Sequence, residues 1–276
     1  MQLEYTYLMR TLKFVSNLTG KIMTLSIQLY SMRDYDDQIA LLDELSAIGM
    51  TQVEGYGGVY GDPKAYRAAM DANGISMPSG HMGLNDIEDD FDATLDIAKI
   101  LGIGFIIAPY LEENDRPDTS VGYAKLAHRL NAAAKKYAKH GISFGWHNHD
   151  FEFVTLADSG IPMDIILEQA PDIKWEADLA WVARGASDPL EYIQRYGNRL
   201  AAIHVKDIAP VGQNLAEDGW ADLGAGTLDW TALLQACRTQ SKHLIYALEH
   251  DKPNDPVGYA TRSAAAFQKL WDNTHD

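Results

Sequence analysis

Residues 142–149 read ISFGWHNH, and three stretches of the same kind follow: IKWEAD at 173–178, LAAIHVKD at 200–207 and LIYALEH at 244–250. Each is a short apolar run of the sort that forms a strand buried on both faces of a parallel sheet, and each closes on a polar residue where the strand leaves the core. The closing residues are His147, Asp178, His204 and Glu249, spaced 31, 26 and 45 residues apart. The first two intervals match one strand-plus-helix unit in an eight-unit barrel of about 250 residues. The third is stretched by a long polar loop. Gathering several carboxylates and imidazoles in one barrel mouth costs on the order of several kcal/mol per charge without a counter-ion, so these four residues read as ligands of one divalent metal ion. Nitrogen and oxygen donors together suit Mn, Co or Zn better than Mg, which prefers an all-oxygen shell.

Working outward, short apolar runs alternate with amphipathic stretches from residue 24 to the end. Strands are expected at 24–29, 51–55, 75–81, 103–108, 142–147, 173–178, 201–206 and 244–249. Between them lie helical patterns such as DDQIALLDELSAIG, in which Ile39, Leu42, Leu45 and Ile48 recur and Gly49 stops the helix. The segments FDATLDIAKILG, YAKLAHRLNAAAKKYAKHG and PLEYIQRYG follow the same logic, each ending on Gly. Strand–helix alternation implies a parallel sheet with right-handed crossovers, and eight strands close a barrel. The fold expected is therefore α/β, a (β/α)8 TIM barrel in one domain over 23–276, preceded by an N-terminal extension at 1–22. A doubly wound sheet would want a Gly-rich phosphate loop at its first junction, where QLYSMRDYDD has none.

The balance of 39 acidic and 23 basic residues, a formal net charge of −16, disfavours nucleic acid as a partner. The opening 22 residues are interrupted by Arg10, Lys13 and Asn17 and read as neither a membrane span nor a signal peptide; no other stretch reads as a span. The expected setting is cytoplasmic, with no membrane partner, and homo-oligomerisation is compatible with the sequence. The single cysteine, Cys237, lies in a helical pattern and reads as a small buried hydrophobe.

Functional groups of a barrel collect at the C-terminal ends of its strands. That rule adds Gln28, Tyr30, Glu54, His81, His149, Glu176 and Lys206 to the four closing residues. Alternation along a strand puts His147 with His149, Glu176 with Asp178, and His204 with Lys206 on shared faces. His81, His149 and Lys206 are candidate substrate contacts, as are the aromatic faces of Tyr30, Trp181 and Trp220, which suit the C–H faces of a sugar. Lys206 reads alternatively as the partner of Asp207 or Glu176. The Gly-rich loop 208–226 is expected to cover the substrate.

Taken in order, HNHDFEF at 147–153, EADLAWV at 176–182, HVKD at 204–207, LGAGTLDW at 223–230 and ALEHD at 247–251 resemble the xylose-isomerase-like TIM barrels. That group contains sugar isomerases, ketose 3-epimerases, inosose dehydratase and endonuclease IV, and the resemblance spans roughly 23–276. It implies a metal held at the ends of strands 5 to 8, with Asp178, His204 and Glu249 as ligands. Two positions depart from the pattern: His147 stands where epimerases carry a Glu that is both ligand and acid/base, and Trp181 replaces the His of a D-x-x-H motif. Either His147 or His149 is the strand-5 ligand.

The chemistry implied is proton abstraction α to a carbonyl by a metal-dependent isomerase or epimerase acting on a sugar, sugar phosphate or keto-sugar, with Glu249, Glu176 and Glu54 as candidate acid/base groups. A small carbohydrate or cyclitol is the expected substrate. An inosose-dehydratase-like or keto-sugar lyase is the alternative, and a non-catalytic sugar-binding barrel a remote one.

Overall fold

A computed structural model describes residues 25–241 and 243–274. The N-terminal extension expected at 1–22 lies outside the described residues. Eight parallel strands form one sheet: β1 (Leu25–Ile27), β2 (Gln52–Gly55), β3 (Ser76–His81), β4 (Phe105–Ala108), β5 (Ser143–His147), β6 (Lys174–Asp178), β7 (Leu200–Val205) and β10 (Ile245–Leu248). A two-residue antiparallel pair, β8 (Asp207–Ile208) with β9 (Trp220–Ala221), lies in the long loop after β7. The sheet order is β1-β10-β7-β6-β5-β4-β3-β2, and an isolated parallel bridge between Gln28 and Glu54 joins its two ends. The expected (β/α)8 barrel is the observed architecture, with helices outside the strands.

All eight expected strands are present, with ends shifted by up to two residues. Glu249 and Lys206 fall one residue beyond β10 and β7, at the point where the ladder gives way to the mouth. Alternation sorts the side chains as the two-residue period requires. Trp146, Trp175, Ile203 and Leu248 join the main core between strands and helices, whereas Phe105, Ile107 and Ala202 make a separate small apolar cluster. On the same strand faces as this second cluster, and further toward the C-terminal ends, come the polar groups.

The first helix is Ala40–Ala47 and buries Leu41, Leu42 and Leu45; Ile39, expected on the buried stripe, precedes it and is exposed. Gly49, Gly102 and Gly141 take positive φ at +89°, +83° and +75°, as helix-stopping glycines do. Gly197 differs: at φ −58° it carries the chain on into a 3-10 turn, Gly197–Arg199, before β7. None of the described helices is long and apolar enough to cross a membrane.

Gln28 secures the barrel's seam by donating through Nε2 to Glu54 Oε1 at 2.8 Å, and it caps the turn after β1 by accepting from Tyr30 N at 2.9 Å. Gln28→Ala leaves the buried Glu54 carboxyl and the part-buried Tyr30 N each short of a bond, an expected loss of about 2 kcal/mol. By thermal unfolding this is a fall in Tm of roughly 4–8 °C. The exposed bond of Gln268 to Asp272 supplies the control, and Gln268→Ala is expected to stay within about 0.5 kcal/mol of wild type.

Candidate metal centre

Glu54 is fully buried on β2 and is the acceptor around which the barrel interior is organised. Its Oε1 takes Gln28 Nε2 and lies 2.8 Å from His204 Nε2, and its Oε2 accepts Ser79 Oγ at 2.6 Å. Side chains from β3 and β7 and from the residue following β1 thus converge on this one β2 carboxylate. Burial, together with the neighbouring Glu176, raises the Glu54 pKa against the pull of His204.

Glu176 on β6 is the second interior carboxylate. Its Oε2 lies 2.6 Å from His81 Nε2, 3.3 Å from His204 Nε2 and 3.4 Å from His147 Nδ1. Burial disfavours its charge, but His204 and His81 outweigh burial and hold the carboxyl well below the usual range. For His204 the contest runs the other way: burial favours the neutral ring, and Glu176 and Glu54 overcome it to raise the pKa well above normal. His147, desolvated and facing His204, is held neutral.

His204 also belongs to a second group at the mouth. Its Nδ1 lies 3.9 Å from Asp178 Oδ2, and one ligand atom each from Asp178, His204 and Glu249 fall within 4.8 Å of one another. Asp178 is fixed by its neighbours. Its Oδ1 caps the helix Leu179–Arg184 by accepting Trp181 N at 2.8 Å, while its backbone is pinned by Asn148, which accepts from Asp178 N at 3.2 Å and donates to Asp178 O at 3.0 Å. That leaves Asp178 Oδ2 and His204 Nδ1 without a hydrogen-bond partner among the described residues, although both atoms are buried. Burial pushes the Glu249 carboxyl up to about 8, with Asp251 adding to the rise and Lys206 opposing it.

The four residues expected to form one ligand set are therefore placed in two overlapping groups. Asp178, His204 and Glu249 make one; His147 joins His81, Glu176 and His204 in the other. Both groups have the donor types and spacing to coordinate a divalent metal, and the unpartnered Asp178 and His204 atoms mark where such an ion fits. His204 joins the two.

Lys206 is buried beside this centre, and its partners differ from those expected. Its Nζ pairs with Asp251, lies 2.7 Å from Glu249 Oε2 and 3.6 Å from Asp178 Oδ2. Asp207 faces the other side of the backbone, and Glu176 is taken by the histidines. The carboxylates of Asp251, Glu249 and Asp178 outweigh burial and raise the Lys206 pKa, and Lys206 in turn holds Asp251 below the usual range.

Aromatic rings line the β5 to β7 side of the mouth. Trp181 and Trp220 meet edge-on at 4.7 Å, Lys206 Nζ lies 3.9 Å from the Trp220 ring centre, and the His149 ring is 5.3 Å from Trp181. Burial and Lys206 push the His149 pKa down to about 3. Tyr30 is on the opposite side, 43 % exposed and edge-on to Tyr56 at 5.8 Å. Trp146 is turned outward into the core, with its Nε1 on Glu152. Sequence reasoning missed Asn148, Ser79 and Asp251; the only signals for them were the centre of HNH, the inward parity of β3 and the tail of ALEHD.

A family model described as xylose isomerase-like TIM barrel matches residues 42–270. No curated protein sequence matches. Among solved structures, a sugar phosphate isomerase/epimerase from Parabacteroides distasonis is similar at TM-score 0.74 and 21 % identity, over 92 % of this chain and 97 % of that one. The probable 3-DHS dehydratase AsbF of Bacillus anthracis is similar at TM-score 0.69 and 13 % identity, over 89 % and 99 %. The IOLI protein, solved with a bound zinc atom, is similar at TM-score 0.74 and 13 % identity, over 91 % and 99 %. At such identities the structures speak for the fold, and the family match over most of the chain agrees with the motifs and the barrel: the chain belongs to the xylose isomerase-like TIM barrel family.

Proposed function

We propose that the protein is a divalent-metal-dependent sugar isomerase or epimerase acting by proton abstraction α to a carbonyl. The observation that carries this reading is the convergence of Asp178, His204 and Glu249 from three neighbouring strand ends, with Asp178 Oδ2, His204 Nδ1 and Glu249 Oε2 all buried without a hydrogen-bond partner among the described residues. In this reading Asp178, His204 and Glu249 hold the ion, and His147, its ring 4.4 Å from that of His204, completes the set from β5. Mixed imidazole and carboxylate donors favour Mn, Co or Zn. A divalent ion held there polarises a substrate carbonyl or hydroxyl and acidifies the adjacent C–H.

The chain's own groups divide the remaining work. Glu249, at the strand end beside the ion, is placed to take and return the substrate proton. Glu176 keeps Oε1 buried and unpartnered among the described residues and supplies a second carboxylate. Glu54 has both oxygens engaged, so on this geometry its part is to hold His204 and the barrel seam in place. Trp181, backed by Trp220, and His149 offer a wall for the sugar ring, and Lys206 holds the carboxylates of Asp251, Glu249 and Asp178 in place. The lyase reading keeps one point in its favour: the strand-5 position is an imidazole, so no carboxylate faces Glu249 from β5.

Calorimetric titration of metal-stripped protein with Mn(II) tests the centre. Outer-shell changes at metal sites cost about 10–100-fold in affinity, so removal of a ligand by Asp178→Ala or Glu249→Ala is expected to cost about 100-fold or more, and His147→Ala about 10-fold. Saturating metal at about 100 times its Kd should stabilise the wild type by about 2.7 kcal/mol. A protein that neither binds nor is stabilised by any of the three ions is outside this reading.

The reaction class is checked in heavy water. Turnover of a keto-sugar is expected to place solvent deuterium at the α carbon, and turnover without any incorporation rules out enolisation. A dehydrating enzyme would reveal itself by the absorbance of a conjugated carbonyl in its product.

A further inference from the structure

The ammonium of Lys206 stands between two of the proposed metal ligands. Its side chain is 1 % exposed, and Nζ lies 2.7 Å from Glu249 Oε2 and 3.6 Å from Asp178 Oδ2. A buried cation so placed offsets the mutual repulsion of the carboxylates, which is part of what a bound ion would do for them. The two positive charges cannot share Glu249 freely, because like charges a few ångström apart repel strongly where water is excluded.

Asp251 offers the ammonium another place. It accepts a hydrogen bond from Lys206 Nζ, its side chain is 25 % exposed, and it belongs to neither of the groups with the spacing to hold an ion. The lysine charge is a compact point on a flexible stem, so a small swing toward Asp251 frees Glu249 without moving the strand. The Trp181 and Trp220 rings, with centres 4.9 Å and 3.9 Å from Nζ, flank the ammonium during that swing.

We propose that Lys206 is an internal stand-in for the metal ion, competing with it for Glu249, and that Asp251 is a positioning residue that draws the ammonium aside and so sets the affinity of the centre. The inference rests on the metal reading above and deepens it. It assigns the two residues opposite signs: loss of Lys206 tightens metal binding, loss of Asp251 weakens it, and Asp251 matters only while Lys206 is present. A lysine that did no more than hold the ligands in place would weaken binding when removed.

Calorimetric titration of metal-stripped protein with Mn(II) reads both signs. Groups just outside a metal's ligands move its affinity by about 10–100-fold, so Lys206→Met is expected to bind about tenfold more tightly than wild type and Asp251→Asn about tenfold more weakly, with Asp251→Glu close to wild type. In the double variant the effect of Asp251→Asn is expected to shrink below about threefold, the non-additivity of residues that act through one another. Lys206→Met binding within about threefold of wild type, or more weakly, overturns the proposal, as does an equal loss from Asp251→Asn in both backgrounds. Should Lys206→Met fold only poorly, refolding with Mn(II) against refolding with a chelator becomes the readout: recovery that requires Mn(II) is expected, and equal recovery overturns the proposal. If neither wild type nor Lys206→Met binds Mn(II), the metal reading itself fails; wild-type binding that Lys206→Met leaves unimproved overturns the stand-in alone.

Discussion

The carboxylate of Glu54 is the constraint on which the barrel and its centre both depend. A parallel barrel must close, and closure between β1 and β2 here is a single bridge at Gln28 and Glu54. That bridge alone is a weak seam. The Glu54 side chain reinforces it by drawing Gln28, Ser79 and His204 onto one acceptor, and it thereby sets the orientation of the His204 ring with Nε2 inward. With Nε2 committed, Nδ1 is left toward Asp178. The same contact therefore closes the fold and leaves a ligand atom free, and the buried carboxyl is tolerated in the interior because both of its oxygens are engaged in hydrogen bonds.

Charge at the mouth follows the same rule one layer higher. Asp178, Glu249 and Asp251 would repel one another strongly if buried alone, and Lys206 is the cation placed among them. Its ammonium does not meet all three equally: Asp251 accepts a hydrogen bond, Glu249 Oε2 lies 2.7 Å away, and Asp178 Oδ2 lies 3.6 Å off. Asp178 Oδ2 and His204 Nδ1 are therefore left buried side by side without a hydrogen-bond partner, two donor atoms that a bound cation would engage. The Trp181 and Trp220 rings pack around Lys206 beside them.

The fold was largely legible in the chain, because buried parallel strands are short apolar runs and the intervals between them are set by helix length. The strand-end rule also brought His147, Asp178, His204 and Glu249 into view. Pairing was not legible. Whether Lys206 meets Asp207, Glu176 or Asp251 depends on which strand ends lie opposite one another around the barrel, and sequence parity assigns a face without assigning a neighbour. For the same reason the division of four expected ligands into two groups sharing His204 could not be read. It follows from the register that sets His147 beside Glu176 and Asp178 beside His204. Asn148 was hidden differently: its work is to hold the backbone of Asp178 on the adjacent strand, a task carrying no signature of residue type or spacing.

The long loop after β7 illustrates how a segment expected to act as a cover is built as a wall. Four main-chain donors on Asp207, each worth about 1.5–3 kcal/mol when the acceptor is charged, make release of the loop's base costly. The β8–β9 pair fixes Trp220 to the strand it follows, and Asn214 Nδ2 donates to the Trp220 carbonyl at 2.9 Å. What remains exposed is the outer turn, where Val211 and Leu215 face solvent. Any adjustment to a substrate is then confined to that turn, while Trp220 keeps its place against Trp181 and Lys206 whether or not the mouth is occupied.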